Sequence, residues 1–249
     1  MTKKGWIIFI VLIVAALGGA IYLSRQSKVD VANVTVGAIQ QASKDNGNIA
    51  DHTYGTGTKV TLIEYGDYQC PGCDSASAVI KQLTEKYKDK LTFVFRNKLI
   101  PGHANSRAAA SFAEAAGLQG KYFEMHDKLY ETQKTWQNLS AGQERTNFFA
   151  NLIKEVGGDS DKALAAIETE AIAKKISFDD ALASKHGVTG TPSFFINGKD
   201  VSSLYVLDGA VSTKGAQNSS GTASQLVWSS AEDFDKLVLQ PAFKEAGVQ

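Results

Sequence analysis

Cysteine, proline, methionine and net charge are all scarce in this chain of 249 residues: two Cys, four Pro, two Met, and 26 basic residues against 26 acidic ones. A formal charge of zero gives no overall field to gather nucleic acid, and no nucleic-acid partner is expected. Two cysteines cannot build a disulfide framework, and a structural zinc site would need further cysteines or closely spaced histidines. The four histidines (His52, His103, His126 and His186) are scattered, with no pair at helical ligand spacing. His103 and His126 read as structural or surface residues. No internal repeat is evident, and no metal or organic cofactor is expected.

Apolar residues are plentiful, at 43%, and the first concentration is at the start. After Lys3 and Lys4, Gly5 to Leu23 runs 19 residues without a charge. At ~1.5 Å per residue a helix of that length nearly crosses the ~30 Å hydrocarbon core. Trp6 and Tyr22 stand near its ends, where interfacial aromatics belong. Small residues at 18–20 resemble a cleavage site, but Ile21, Tyr22 and Leu23 carry the apolar run past them. Residues 1–23 therefore read as a short cytoplasmic stub and a retained transmembrane signal-anchor, with everything beyond outside the cell membrane. Residues 24–54, rich in Ser, Asn, Asp and Gly, read as a linker, and residues 55–249 as the folded domain.

Within that domain, Lys59 to Tyr65 has the pattern of a strand and Leu91 to Phe95 that of a second. Between them Ala76, Val79, Ile80 and Leu83 recur at helical spacing, which makes a βαβ unit. A block of helices follows over about 104–186: 108–116, 122–130, 146–156, 160–170 and 172–185. Ser193 to Ile196 is a strand leading to Asn197-Gly198, a hairpin dipeptide. Tyr205–Leu207 and Leu226–Trp228 read as strand pieces in a loose Ser/Gly/Thr-rich stretch. A last helix, capped by Ser229 or Ser230, is interrupted near Pro241.

Both cysteines fall at the strand-to-helix turn, as Cys70-Pro71-Gly72-Cys73. A disulfide there would close a ring too small to staple the fold, with roughly 2 kcal/mol of loop entropy at best. The alternatives are metal ligands, two inert thiols, or a dithiol that cycles with a disulfide. The setting favours the last. A thiolate is the nucleophile, and the open N–H groups and dipole of a helix N-terminus favour it at Cys70. Pro71 suits the first helical position, where its missing N–H is harmless. Cys73, one turn on, can attack a mixed disulfide at Cys70.

Glu64-Tyr-Gly-Asp-Tyr-Gln-Cys-Pro-Gly-Cys73, the helical block, and Gly190-Thr-Pro-Ser-Phe-Phe-Ile-Asn-Gly198 occur in that order. Together they resemble the DsbA-like thiol-disulfide oxidoreductases of the thioredoxin superfamily, over roughly Gly55 to Gly198 and the final helix. The resemblance implies an α/β, thioredoxin-like fold with an inserted helical subdomain, here preceded by an N-terminal transmembrane helix. It implies that Cys70 and Cys73 are the redox pair and that Thr191-Pro192 is a cis-proline loop binding the substrate backbone. Glu64 matches the buried acid that handles the proton of the resolving thiol; a lone Glu on a strand edge would otherwise be solvated. The redox-active disulfide is then the only cofactor. Partners would be exported cysteine-containing clients and a membrane thiol oxidase that reoxidises the pair. Membrane-anchored relatives of this kind occur in bacteria without a periplasm.

Pro71-Gly72 departs from the strongly oxidising relatives, which often have a histidine in the dipeptide. These two residues tune the potential but do not say where it falls; the expected activity is disulfide introduction, with a reductase or isomerase as the catalytic alternative. A non-catalytic metal- or peptide-binding module is the alternative of another class.

Overall fold

The computed structural model describes residues 29–44, 48–218 and 220–248. The expected transmembrane anchor falls on residues 1–23, outside the described residues. Among the described residues no helix is long and apolar enough to cross a membrane.

Five strands form the main sheet in the order β1-β3-β2-β4-β5. They are β1 (Thr53–Tyr54), β2 (Thr61–Gly66), β3 (Thr92–Asn97), β4 (Ser193–Ile196) and β5 (Lys199–Asp200). β2 and β3 run parallel, Glu64 beside Phe95, with helix α1 (Pro71–Lys86) as the crossover between them. β4 is antiparallel to β2, setting Phe194 beside Glu64. β2, β3 and β4 are almost wholly buried, so their apolar residues run on rather than alternate. α1 instead turns Cys73, Ala76, Ile80 and Leu83 onto the sheet.

The helical block lies between β3 and β4: α2 (Ser106–Gly117), α3 (Tyr122–Glu131), α4 (Gln133–Trp136), α5 (Gln143–Glu155), α6 (Ser160–Ala166) and α7 (Glu170–Lys185). Its core joins that of the sheet through Phe112, Met125, Leu129, Trp136, Phe149 and Ile176. The Asn197-Gly198 turn has φ of 47° and 82°, the two positive values that a tight hairpin between β4 and β5 requires.

Two sequence expectations differ from what is found. Residues 31–44 and 48–54, part of the stretch read as a linker, lie on the domain. Arg96 on β3 donates to the Ala38 carbonyl (2.6 Å) and to Asp51 (2.7 Å), and Thr53–Tyr54 pairs with β3. Asp51, His52 and the Ala38 carbonyl there serve buried partners in the domain, while most of the other polar residues face water. Leu226–Trp228 is also not one strand. β8 (Gln225–Leu226) joins β6 (Tyr205–Leu207) and β7 (Ala210–Ser212) in a second sheet, and Val227–Ser229 then winds into a 3₁₀ turn. Val227 is buried there, and the Trp228 indole N–H reaches the Ser202 carbonyl at 3.1 Å, which pulls the chain off the strand path. The closing helical stretch begins with Ser230 capping the N–H of Asp233, passes through a π-helical segment at Asp235–Leu239, and ends in Gln240–Glu245 around Pro241.

Candidate active site

β2 ends at Gly66, and Asp67-Tyr68-Gln69 turns the chain into α1. Asp67 is the residue of that turn that the sequence reading passed over. Its buried carboxylate accepts the N–H groups of Gln69 and Ile100, each at 2.8 Å, and the Ser106 hydroxyl; His103 Nδ1 lies 3.1 Å away. The bond to Gln69, two residues on, is an Asx turn and was legible in the residue types. A second support comes from far along the chain. Buried Gln133 of α4 donates to the carbonyls of Tyr68 (2.8 Å) and Cys70 (3.0 Å). His126 is buried among aromatic rings, 4.7 Å from Phe95 and 5.1 Å from Tyr130.

Cys70 is the N-cap of α1, in extended backbone (φ −73°, ψ 124°), and Pro71 occupies the first turn. Both cysteines are free thiols; Cys70 is half-buried and Cys73 fully buried. The Thr191-Pro192 peptide is cis, and Cys70 Sγ lies 3.4 Å from the Thr191 carbonyl oxygen. Gly72 makes that approach possible. A Cβ there would stand 3.2 Å from Pro192 Cδ and 3.6 Å from Cys70 Sγ. The structure thus brings Cys70, Pro71, Gly72, Cys73, Thr191 and Pro192 together.

The two sulfurs are driven apart in acidity. A hydrogen bond from Cys73 holds the Cys70 thiol down, to about 5, against the opposing effect of burial. The Thr191 side chain and the backbone N–H groups of Cys73 and Gly72 add to it. Thr191 Oγ1 is buried and has no other partner among the described residues. Burial pushes Cys73 well above the ordinary thiol value, and its bond to Cys70 and the nearby Glu64 carboxyl push it further. The Asp67 N–H, 3.5 Å from Cys73 Sγ, acts weakly the other way.

Glu64 lies on the central strand beneath this pair, fully buried, not on a solvated edge. Burial, then the charge of Cys70, pushes its carboxyl up to about 8. Its Oε1 has no partner among the described residues, so the group is neutral or freshly ionised near neutral pH. Gly66 leaves it room, since a Cβ there would meet the Phe95 ring and come within 3.1 Å of Glu64 Oε1. A thiol that ionises readily beside one that does not, with a buried carboxyl whose value lies between theirs, is an arrangement that can support stepwise thiol–disulfide exchange.

A family profile described as thioredoxin matches residues 48–212. A thioredoxin-like oxidoreductase from Silicibacter pomeroyi is similar at 31% identity and TM-score 0.50, over 60% of this chain and 82% of that one. The thiol-disulfide exchange protein alpha-DsbA2 from Wolbachia pipientis is 26% identical, with 60% and 77% covered and a TM-score of 0.51. BdbD from Bacillus subtilis, at 19% identity, shares the fold over 84% of this chain and 98% of its own, with a TM-score of 0.58. Among curated proteins, the Na(+)/H(+) antiporter NhaA 1 of Salinispora arenicola is 33% identical over 141 residues, 56% of this chain and 20% of that protein. The chain spans about a fifth of the length of the curated relatives it matches, and the antiport they are named for belongs to those whole proteins.

Proposed function

The chain belongs to the thioredoxin family, as a DsbA-like thiol-disulfide oxidoreductase, and from there we propose that it introduces disulfides into exported proteins. The observation that carries this direction is the acidity of Cys70, held at about 5. Cysteines lowered in this way in Cys-X-X-Cys motifs span roughly 3.5 to 7. A stabilised thiolate favours the reduced state of the pair, which makes the disulfide the better oxidant.

Cys70 and Cys73 act as the redox pair, and no cofactor beyond their disulfide takes part. A client thiolate attacks Cys70 Sγ; the bond to Cys73 breaks, a client–Cys70 disulfide forms, and the electron pair stays on Cys73. Cys73 then takes a proton from Glu64, which at about 8 still holds one at neutral pH. The second client thiolate attacks the client sulfur and Cys70 leaves as thiolate. The client has lost two electrons and the pair has gained them. Thr191 and Pro192 hold the client backbone beside the sulfur, and Pro71 and Gly72 set the potential.

The apolar run at 5–23 supports a single-pass anchor with the domain outside the membrane, and a membrane thiol oxidase takes the electrons off. A glutathione redox titration tests the direction: we expect a midpoint well above roughly −270 mV, toward roughly −120 mV. A midpoint at the thioredoxin end would assign a reductase. Cys73→Ala should accumulate mixed disulfides between clients and Cys70, and if none formed the redox pair itself would be misassigned.

A further inference from the structure

A cleft of about 400 Å³ opens in the helical block, away from the sulfurs. Arg107 and Ala108 reach it from the first turn of α2, Arg145 and Thr146 from that of α5, and Thr169 and Ala173 from the N-cap and first turn of α7. Residues of three helix first turns therefore line one space, near the positive ends of three helix dipoles. Among the described residues neither guanidinium forms an ion pair, and Arg145 Nε is buried with no acceptor. Glu168, also on the cleft, removes part of that charge and leaves one positive charge over. The floor is apolar, made by Phe112, Phe149 and Ile167.

The cleft is wired to the redox turn. Arg145 Nη1 donates to Asn105 Oδ1 at 2.7 Å, and the Asn105 N–H donates to Gln69 Oε1 at 2.7 Å. Gln69 immediately precedes Cys70, so two hydrogen bonds separate the arginine from the reacting turn. An extended chain at ~3.3 Å per residue crosses such a gap in a handful of residues.

We propose that this cleft is a second binding site, which takes a carboxylate side chain of the client polypeptide held at Cys70. The occupant's identity rests on the oxidoreductase reading; the anion chemistry does not. One surplus positive charge matches a single carboxylate, and a dianion would meet Glu168. The apolar floor receives the aliphatic stem or an apolar neighbour. Arg145 and Arg107 suit the planar acceptor, which a guanidinium binds through paired N–H donors.

The test uses the full chain and labelled peptides in which one Glu steps through the positions flanking a cysteine, each with a Gln twin. With the cysteine replaced by serine, binding alone is read. At the favoured position we expect about ten-fold tighter binding of the Glu peptide, as for a charge-assisted hydrogen bond. Arg107→Ala should bring that ratio toward one and Glu168→Gln should raise it, with melting curves checking the fold of both. Equal binding of every pair, or a ratio that survives Arg107→Ala, would overturn the site. Oxidation of the cysteine-bearing twins is read separately. If they bind with the Glu preference but are not oxidised, the cleft stands and the oxidoreductase reading falls.

Discussion

Three side chains, Cys70, Cys73 and Glu64, carry opposite protonation demands within one small volume. Cys70 is held at about 5 by its bond from Cys73 and by the Thr191 side chain, so at neutral pH it is almost wholly thiolate. Its alkylation rate in the reduced protein should therefore rise with a midpoint near pH 5, where an unperturbed cysteine shows ~8.5. A midpoint above 7 in stopped-flow alkylation would contradict the arrangement. Glu64 has the reverse linkage. Its folded value, about 8, lies above the unfolded one, so the stability it confers is complete below about pH 4.5. That stability is lost as pH rises through about 8, because the buried carboxylate must then ionise without a partner. Glu64→Gln removes this titration. In urea unfolding followed from pH 4.5 to 8.5, the wild type should fall relative to Glu64→Gln by a few kcal/mol. A difference constant with pH would mean that the carboxyl is solvated. The same variant should slow the release of Cys73 in single-turnover oxidation, since no acid remains to protonate it.

Among the elements, β2, its turn and α1 set the site, and they were also the most legible part of the sequence. The apolar run of β2 and the spacing of Ala76, Ile80 and Leu83 announce a buried strand followed by an amphipathic helix. Asn197-Gly198 announces a hairpin because those residue types tolerate positive φ. Features made by distant residues could not be read this way. Gln133 fixes the carbonyls of Tyr68 and Cys70 from 65 and 63 residues away, on a helix of four residues that is too short to show a period. The burial of Glu64 is read from the apolar residues flanking it together with a resemblance, because a single acid is otherwise most often solvated. Val227 and Trp228 were misread as strand since periodicity does not distinguish a strand from a turn whose side chains both find partners. The packing of β2 on β3 also depends on Gly66, where a side chain would run into the Phe95 ring and crowd Glu64 Oε1. Phe95 is fully buried and has nowhere to move. Gly66→Ala should therefore lower stability by about 1–3 kcal/mol, read as a fall in Tm. It should also shift the Glu64 titration, since the added methyl group displaces that carboxyl; an unchanged Tm would mean that the ring and carboxyl sit elsewhere.

Across the whole molecule, the domain is closed by charge as well as by its apolar core. Arg96 and Asp51 are fully buried partners, joined by Nε–Oδ1 (3.2 Å) and Nη2–Oδ2 (2.7 Å) bonds. Arg96 also donates to the Tyr65 hydroxyl at 2.9 Å. Lys175 reaches Asp179 at 2.6 Å and Asp51 at 3.5 Å, while His52 meets buried Glu114 at 2.8 Å. Ala38, Asp51 and His52 therefore supply the acceptors for one buried cation, part of the balance for another, and the partner of a buried acid. Composition hides this, because Asp51 and His52 sit in a polar stretch that reads as tether. Breaking a buried pair by removing one partner costs about 3–5 kcal/mol, since the remaining charge stays desolvated. Against a typical stability of about 5–15 kcal/mol that is a large fraction. Asp51→Ala should lower the unfolding free energy by this amount, whereas exchanging an exposed acid such as Glu124 should change it by less than about 1 kcal/mol. The boundary of the folding unit follows. A chain beginning at residue 31 retains Asp51, His52 and the Ala38 carbonyl and should melt cooperatively. A chain beginning at residue 55 leaves Arg96 without its carboxylate and Glu114 without its histidine, and should be unfolded or melt far lower by circular dichroism. Equal melting of the two chains would return residues 31–54 to the role of a tether.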